Sequence, residues 1–315
     1  MASTSEPLVQ APKVETAAAP VAARRERQPL TLRAAGLALL LSTMWAGNPV
    51  ANKAGLEDAG PLRLGWLRFV LGGAVVLIYA IATRQSLKIY RYEVRPMILL
   101  GLLFSVQLAF MNVGQDYTTA GHAVIVSTTF PLWTAIFAHF FVPGDTMSRK
   151  RTFGTLVAYT GVVAVFAKSF TLGTEFIIGD LLMLGSAILL GARQVYISRQ
   201  AQGIPQVKLL MAQTAFGIVT FVIAGFIFEA GDPWVLTTRL TLALLYTGVL
   251  IAGFGFLGQT YLLKNYLPSR VTVISLSQPI FGVIFSWWIL GEKVGPELYA
   301  GAALVVVGSW LAQRK

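Results

Sequence analysis

Ten apolar segments divide this chain, each near the length needed to cross about 30 Å of hydrocarbon. They run over 34–54, 62–82, 96–115, 120–142, 152–168, 177–198, 207–229, 238–262, 270–290 and 295–312. In lipid the backbone must satisfy its own hydrogen bonds, and segments of this length do so as helices. The expected fold class is therefore an all-α membrane protein with ten transmembrane helices. The composition agrees, since 55% of the 315 residues are hydrophobic and only 12% are charged. Such a chain cannot cover a water-facing surface with polar groups. It has no Cys, which excludes disulfides and thiolate chemistry.

The net charge of +11 would point to nucleic acid in a soluble protein. Here the basic residues lie between the apolar runs and set orientation instead, so no nucleic-acid partner is expected. With a cytoplasmic N-terminus, eighteen of the 25 Lys and Arg fall on the inner side. Five fall outside (Lys53, Arg63, Lys168, Arg239 and Lys293), and Arg68 and Arg193 lie within segments. Both termini are then cytoplasmic, which requires an even number of spans. Residues 1–32 lack apolar periodicity and read as a disordered cytoplasmic tail. The cluster Arg24, Arg25 and Arg27 reads as a positive-inside anchor rather than a cleaved signal. A bacterial cell membrane is the expected location.

The fourth and ninth segments align at an offset of 148: Ser127 with Ser275, Thr129 with Ser277, Pro131 with Pro279, Thr134 with Gly282 and Ala138 with Ser286. One residue is then lost, and at an offset of 147 Gly144-Asp145 matches Gly291-Glu292, Gly154 matches Gly301 and Gly161 matches Gly308. The chain therefore holds two repeats, 33–168 and 169–315, of five segments each. Five is odd, so the second repeat enters the membrane from the opposite side. Inverted repeats are a physical route to alternating access, because the halves can exchange conformations around one site.

Ser127-Thr128-Thr129-Phe130-Pro131, its echo Ser275-Leu276-Ser277-Gln278-Pro279, Gly291-Glu292-Lys293, the Gly301 and Gly308 pair, and Trp45-Ala46-Gly47-Asn48 carry a likeness. Together they resemble the drug/metabolite transporter superfamily, EamA type, over about residues 34–312. The resemblance implies a ten-helix fold with a central cavity between two five-helix halves, and cargo among amino acids, related metabolites or drugs. One departure is Pro143-Gly144-Asp145, where the family commonly has a Gly-Glu pair after a bulky residue.

Polar side chains at membrane depth mark candidate sites. They are Asn48 beside Trp45, Gln107, Asn112, Gln194, Gln259 and Gln278. Amides both donate and accept, which suits a zwitterion or a heterocycle. Trp45, Trp133, Tyr196 and Tyr261 could supply flat apolar walls. Arg193 has a stem long enough to snorkel to the headgroups, the preferred reading. Turned inward it would bind a substrate carboxylate or phosphate. Arg68 reads as interfacial or paired. Ser127, Pro131, Thr134 and Ala138 share one helix face, and Pro131 and Pro279 stand as candidate gating positions as well as packing kinks.

Asp116 and Asp180 fall near outer segment ends and are expected to be solvated. His122 and His139 are 17 residues apart, about 25 Å along a helix. They cannot share a metal, and no proton relay stands out. Gly253-Phe254-Gly255-Phe256-Leu257-Gly258 spells a dinucleotide fingerprint, but inside an apolar segment it is a decoy. No Walker motif is visible, and no cofactor is expected. The expected function is secondary transport of small metabolites, with efflux of amino acids or similar amphipathic compounds first. An importer of a vitamin or nucleobase, a channel and a membrane-embedded enzyme are the alternatives. The expected partners are a small-molecule substrate and the lipid bilayer, and the protein a monomer or homodimer.

Overall fold

The computed structural model describes residues 31–143, 148–268, 271, 274–275, 278–293 and 295–311. The N-terminal tail with its arginines, Gly144-Asp145, Arg270, Leu276-Ser277 and the last four residues lie outside the described residues.

Helices alone make up the described chain. The first segment is α1 (Leu32–Ala46) and α2 (Asn48–Leu56), broken at Gly47. Then come α3 (Pro61–Ala82) and α4 (Arg91–Tyr117), which starts earlier than expected. Its polar first turn is held by Glu93, which accepts from the Tyr90 backbone N–H at 2.9 Å. The fourth segment is split into α5 (Ala120–Ser127) and α6 (Phe130–Phe141). There follow α7 (Arg149–Leu172), α8 (Thr174–Gln200) and α9 (Gln206–Phe228). The eighth segment is α10 (Thr238–Leu244), an unusually long π-helical stretch (Leu245–Gly255) and α11 (Phe256–Asn265). Last are α12 (Gln278–Leu290) and α13 (Pro296–Leu311). Among the described residues, seven helical stretches are long and apolar enough to cross a membrane, and Phe281–Leu290 and Pro296–Gly308 are shorter apolar helices. Ile78, Phe140, Phe226, Phe228 and Trp288 are exposed on the exterior. Such a surface suits hydrocarbon, not water.

Hydrogen bonds sort the helix ends onto two faces. On one, Lys208 meets Glu93, the Tyr196 hydroxyl reaches the Pro96 carbonyl, and the Gln202 amide reaches the Lys264 carbonyl. On the other, Glu229 accepts from Leu62 and Arg63, Lys53 donates to the Gln115 and Asp116 carbonyls, and Glu292 accepts from Ala120 and Gly121. The α1–α2 unit ends on this second face, whereas α8 begins there and ends on the first. The corresponding helices of the two halves therefore run in opposite directions.

The packing repeats itself when the halves are exchanged. Helix α3 lies on α9, and α7 on α13. The α4–α9 contact has its counterpart between the π-helical stretch and α3, and the α6–α8 contact has one between α12 and α1. The glycines show this most directly. A Cβ on Gly161 would lie 2.7 Å from the Gly301 carbonyl oxygen, and one on Gly308 would lie 2.6 Å from that of Gly154. These are the residues matched at the offset of 147. Without side chains there, α7 and α13 approach to backbone contact, as small residues allow in lipid.

Pro131 does not kink a continuous helix. Pro131 stands in the first turn of α6, and Pro279 is the second residue of α12. At that place the missing N–H is needed by no helical bond. Carbonyls at the break before α6 are used locally: the Thr128 hydroxyl donates to Val124 at 2.6 Å and the Thr129 hydroxyl to Val126 at 2.7 Å. The stripe continuing from Pro131 is buried, with Thr134 and Ala138 packed on the α8 side. The decoy glycine run closes the π-helical stretch and packs on Val75, Trp45 and Leu41.

Candidate functional site

A partly open cavity lies between the halves. The break at Gly47 brings Trp45 and Asn48 to its wall. At this break the Tyr246 hydroxyl takes up the Met44 carbonyl at 2.7 Å. Helix α4 supplies Gln107, α8 supplies Arg193 and Gln194, α11 supplies Gln259, and α12 supplies Gln278. Seven of the eight substrate-binding candidates thus share one wall. Ser127 and Ser275, matched at the offset of 148, both stand on it, so each half contributes the same residue.

Asn112 is off the wall. It is fully buried and donates to the Pro61 carbonyl at 3.1 Å, tying α4 to the start of α3. Pro131 and Pro279 also lie behind the wall. Of the four aromatic candidates only Trp45 lines the cavity. Trp133 packs edge-on against Tyr159, Tyr196 is bonded to Pro96, and Tyr261 faces outward. Phe69 and Phe256 take their place.

The two arginines differ from expectation. Arg193 does not snorkel; it is buried, 4.8 Å from the Phe104 ring centroid and 5.6 Å from that of Phe256. Arg68 is not interfacial; it is buried on the cavity wall, 4.9 Å from the Phe69 ring centroid. Its Nη1 donates to Asn52 Oδ1 at 3.3 Å, and the Asn52 amide donates in turn to Gln115. Gln115 and Gln213 are further wall residues that hydropathy did not single out.

The wall has hydrogen-bonding capacity left over. Among the described residues, Asn48 Oδ1, Arg68 Nε, Gln107 Oε1, Gln115 Nε2, Gln213 Oε1 and two nitrogens of Arg193 are buried without a protein partner. Burying such groups is costly unless something meets them. Gln107 spends its amide N–H on the Ser186 hydroxyl at 2.8 Å, which fixes the orientation of its free oxygen.

Above the cavity, toward the second face, the buried carboxylates are matched. Asp180 is fully buried rather than solvated. It lies 3.0 Å from His122 Nδ1 and accepts from the Thr118 hydroxyl at 2.7 Å. Residues 58 apart in sequence meet here, which no single-helix pattern reveals. Glu292 of the Gly-Glu-Lys motif accepts from the Ala120 and Gly121 N–H groups at 2.7 and 2.9 Å, capping α5 across the halves. Asp116 is exposed, as expected.

Two oppositely directed halves around a shared polar pocket form the architecture of a membrane transporter of the inverted-repeat kind. The family model described as EamA-like transporter family matches residues 32–167 and 177–313. The chain belongs to this family. It is 23% identical over 273 residues to the uncharacterized transporter YoaV of Bacillus subtilis, covering 86% of this chain and 93% of that protein. It is 26% and 25% identical to proteins named "Probable amino-acid metabolite efflux pump" from Salmonella typhimurium and Escherichia coli, each match covering 87% of this chain and 93% of the relative. A solved crystal structure shares the fold, with a TM-score of 0.70 at 20% identity, over 89% of this chain and 98% of its own.

Proposed function

We propose that this protein is a secondary carrier that exports amino acids or similar amphipathic metabolites by alternating access. The observation that carries this reading is the shared cavity, whose wall gathers amides from both inverted halves with their hydrogen-bonding groups unspent. The two relatives named as amino-acid metabolite efflux pumps support the cargo class and direction. In this reading ten segments cross the cell membrane as repeats 33–168 and 169–315, with both termini cytoplasmic. Trp45, Asn48, Gln107, Arg193, Gln194, Gln259 and Gln278 hold the substrate, joined by Arg68 and Gln213. Asn112 braces α4 instead. Pro131 and Pro279 are the gating positions, and the break before Pro131 lets the two parts of the fourth segment turn separately.

The test is counterflow in proteoliposomes. Vesicles preloaded with an unlabelled amino-acid mixture should take up labelled amino acid faster than empty ones, and the uptake should saturate. Uptake that is linear in concentration and indifferent to preloading would favour a channel and defeat the carrier reading.

A further inference from the structure

Two cations stand on the cavity wall, and among the described residues no carboxylate does. Arg68 and Arg193 are 3% and 6% exposed. What they touch is mostly aromatic: Phe69 under Arg68, and Phe104 and Phe256 under Arg193. Phe69 and Phe104 are themselves in contact, 5.1 Å between centroids, so one aromatic cluster carries both cations. A ring face attracts a guanidinium but bears no net charge. Among the described residues, the one side-chain acceptor that either cation meets is the neutral Asn52 amide. The pocket therefore keeps two uncancelled positive charges at membrane depth, an arrangement that is expensive and marks a functional role.

Another buried cation among the described residues gives a direct contrast. Lys208 lies over the Tyr90 ring at 4.8 Å, yet both Glu93 carboxylate oxygens are 2.9 Å from its ammonium. Where a buried cation is structural here, it has its own carboxylate. In the cavity that partner has to arrive with the cargo. Stacking leaves the edge of a guanidinium free, and Arg193 Nε and Nη1 and Arg68 Nε have no protein partner. Planar donors of this kind match a carboxylate. Beside them Trp45 and Phe256 are stacked, 6.0 Å between centroids, and offer a flat apolar wall.

We propose that the favoured cargo is a net anionic organic acid, its carboxylate held by Arg193 and Arg68 and its flat apolar body laid against Trp45 and Phe256. This rests on the carrier reading above and narrows it from amphipathic metabolites in general to acids. A zwitterion cancels only its own charge and leaves the pocket doubly positive, so it binds less tightly. An organic cation is repelled.

Four ring-matched probes isolate the charge: phenylacetate (anion), phenylalanine (zwitterion), phenylacetamide (neutral) and phenethylamine (cation). Binding to the purified full-length protein in detergent at pH 7.5 should rank in that order. Phenylacetate should bind at least about tenfold tighter than phenylacetamide, the scale of a hydrogen bond to a charged group. Arg193→Gln should weaken phenylacetate by about tenfold or more and leave phenylacetamide within about twofold, with Arg193→Lys recovering part of the loss. Equal or tighter binding of the amide or amine, no binding of phenylacetate, or an unchanged phenylacetate affinity in Arg193→Gln would each overturn the proposal. The ranking on the unaltered protein decides the matter even if the variant does not fold. Counterflow separates the two readings. Phenylacetate binding without counterflow defeats the carrier and leaves the acid site standing. Counterflow of phenylalanine with no binding advantage for the acid does the reverse.

Discussion

The cavity and the rim above it are built from the same stock of polar residues at similar burial, yet they treat them oppositely. At the rim, Asp180 is matched by His122 and Thr118, and Glu292 by the N-terminus of α5. In the cavity, two arginines and several amides keep donors and acceptors unmatched. A buried polar group that is fully matched lends definition to the fold, while one left unmatched costs stability. The difference teaches where this protein is made to hold together and where it is made to receive something else.

The largest expected break of this contrast is at matched groups. Glu93→Ala strands the Lys208 ammonium, and removing one partner of a buried pair costs about 3 kcal/mol or more. Thermal unfolding of the detergent-solubilised protein should show it as a clear drop in Tm. Asp180→Ala should behave alike, leaving His122 and Thr118 without the carboxylate. Cavity residues should invert the pattern: Gln213→Leu should leave Tm unchanged or raised, because its free oxygen is removed rather than stranded.

Next in size is backbone packing between the halves. Gly308→Leu drives a side chain into the Gly154–Ala158 backbone, and overpacking of this sort costs about 1–3 kcal/mol. Gly161→Leu should cost a similar amount by the repeat symmetry, and unequal losses would weaken the claim that the two contacts are equivalent.

Smaller in stability but visible in transport are Asn48→Ala and Gln278→Ala. Each should lower the counterflow rate by about tenfold with membrane insertion unchanged, the worth of one hydrogen bond to cargo. Pro131→Ala and Pro279→Ala should slow turnover more than they weaken binding, and equal effects on both would mean these prolines serve packing alone.

The smallest effect is at the exposed second-face loop. Arg239 and Thr237 hold the Asp58 carboxyl down to about 2, below its ordinary 3.8. A depressed carboxyl contributes stability above its unfolded value and loses it as pH falls through the folded one. Between about pH 4 and 2 the native protein should therefore lose a slight increment of stability that Asp58→Asn lacks throughout. Parallel acid-side Tm curves would contradict it.

Much of the frame was legible in the sequence because lipid allows few solutions. Apolar length marks the segments, and the offset of 147 matches Gly154 with Gly301 and Gly161 with Gly308, glycines read as packing positions that the structure brings together crosswise where α7 lies on α13. Hydropathy places a residue by depth alone and leaves its direction around the helix open. Asn112 and Gln115 stand three residues apart on α4, yet one reaches the Pro61 carbonyl and the other the cavity. Arg68 reads as interfacial or paired by the same blindness. Its depth fitted a headgroup contact, and only the packing of α3 on α9 and on the π-helical stretch turns it inward. The His122–Asp180 pair joins two segments, so neither helix read singly contains it.

Alternation of the shared cavity between compartments is tested most directly with Ser275→Cys, a single thiol on the cavity wall of a chain that has no other cysteine. Its labelling by a membrane-impermeant maleimide should be followed from each side of sealed vesicles. The account predicts reaction from both sides while the vesicles stay tight to the reagent. Reaction from one side only, under every substrate gradient, would contradict it.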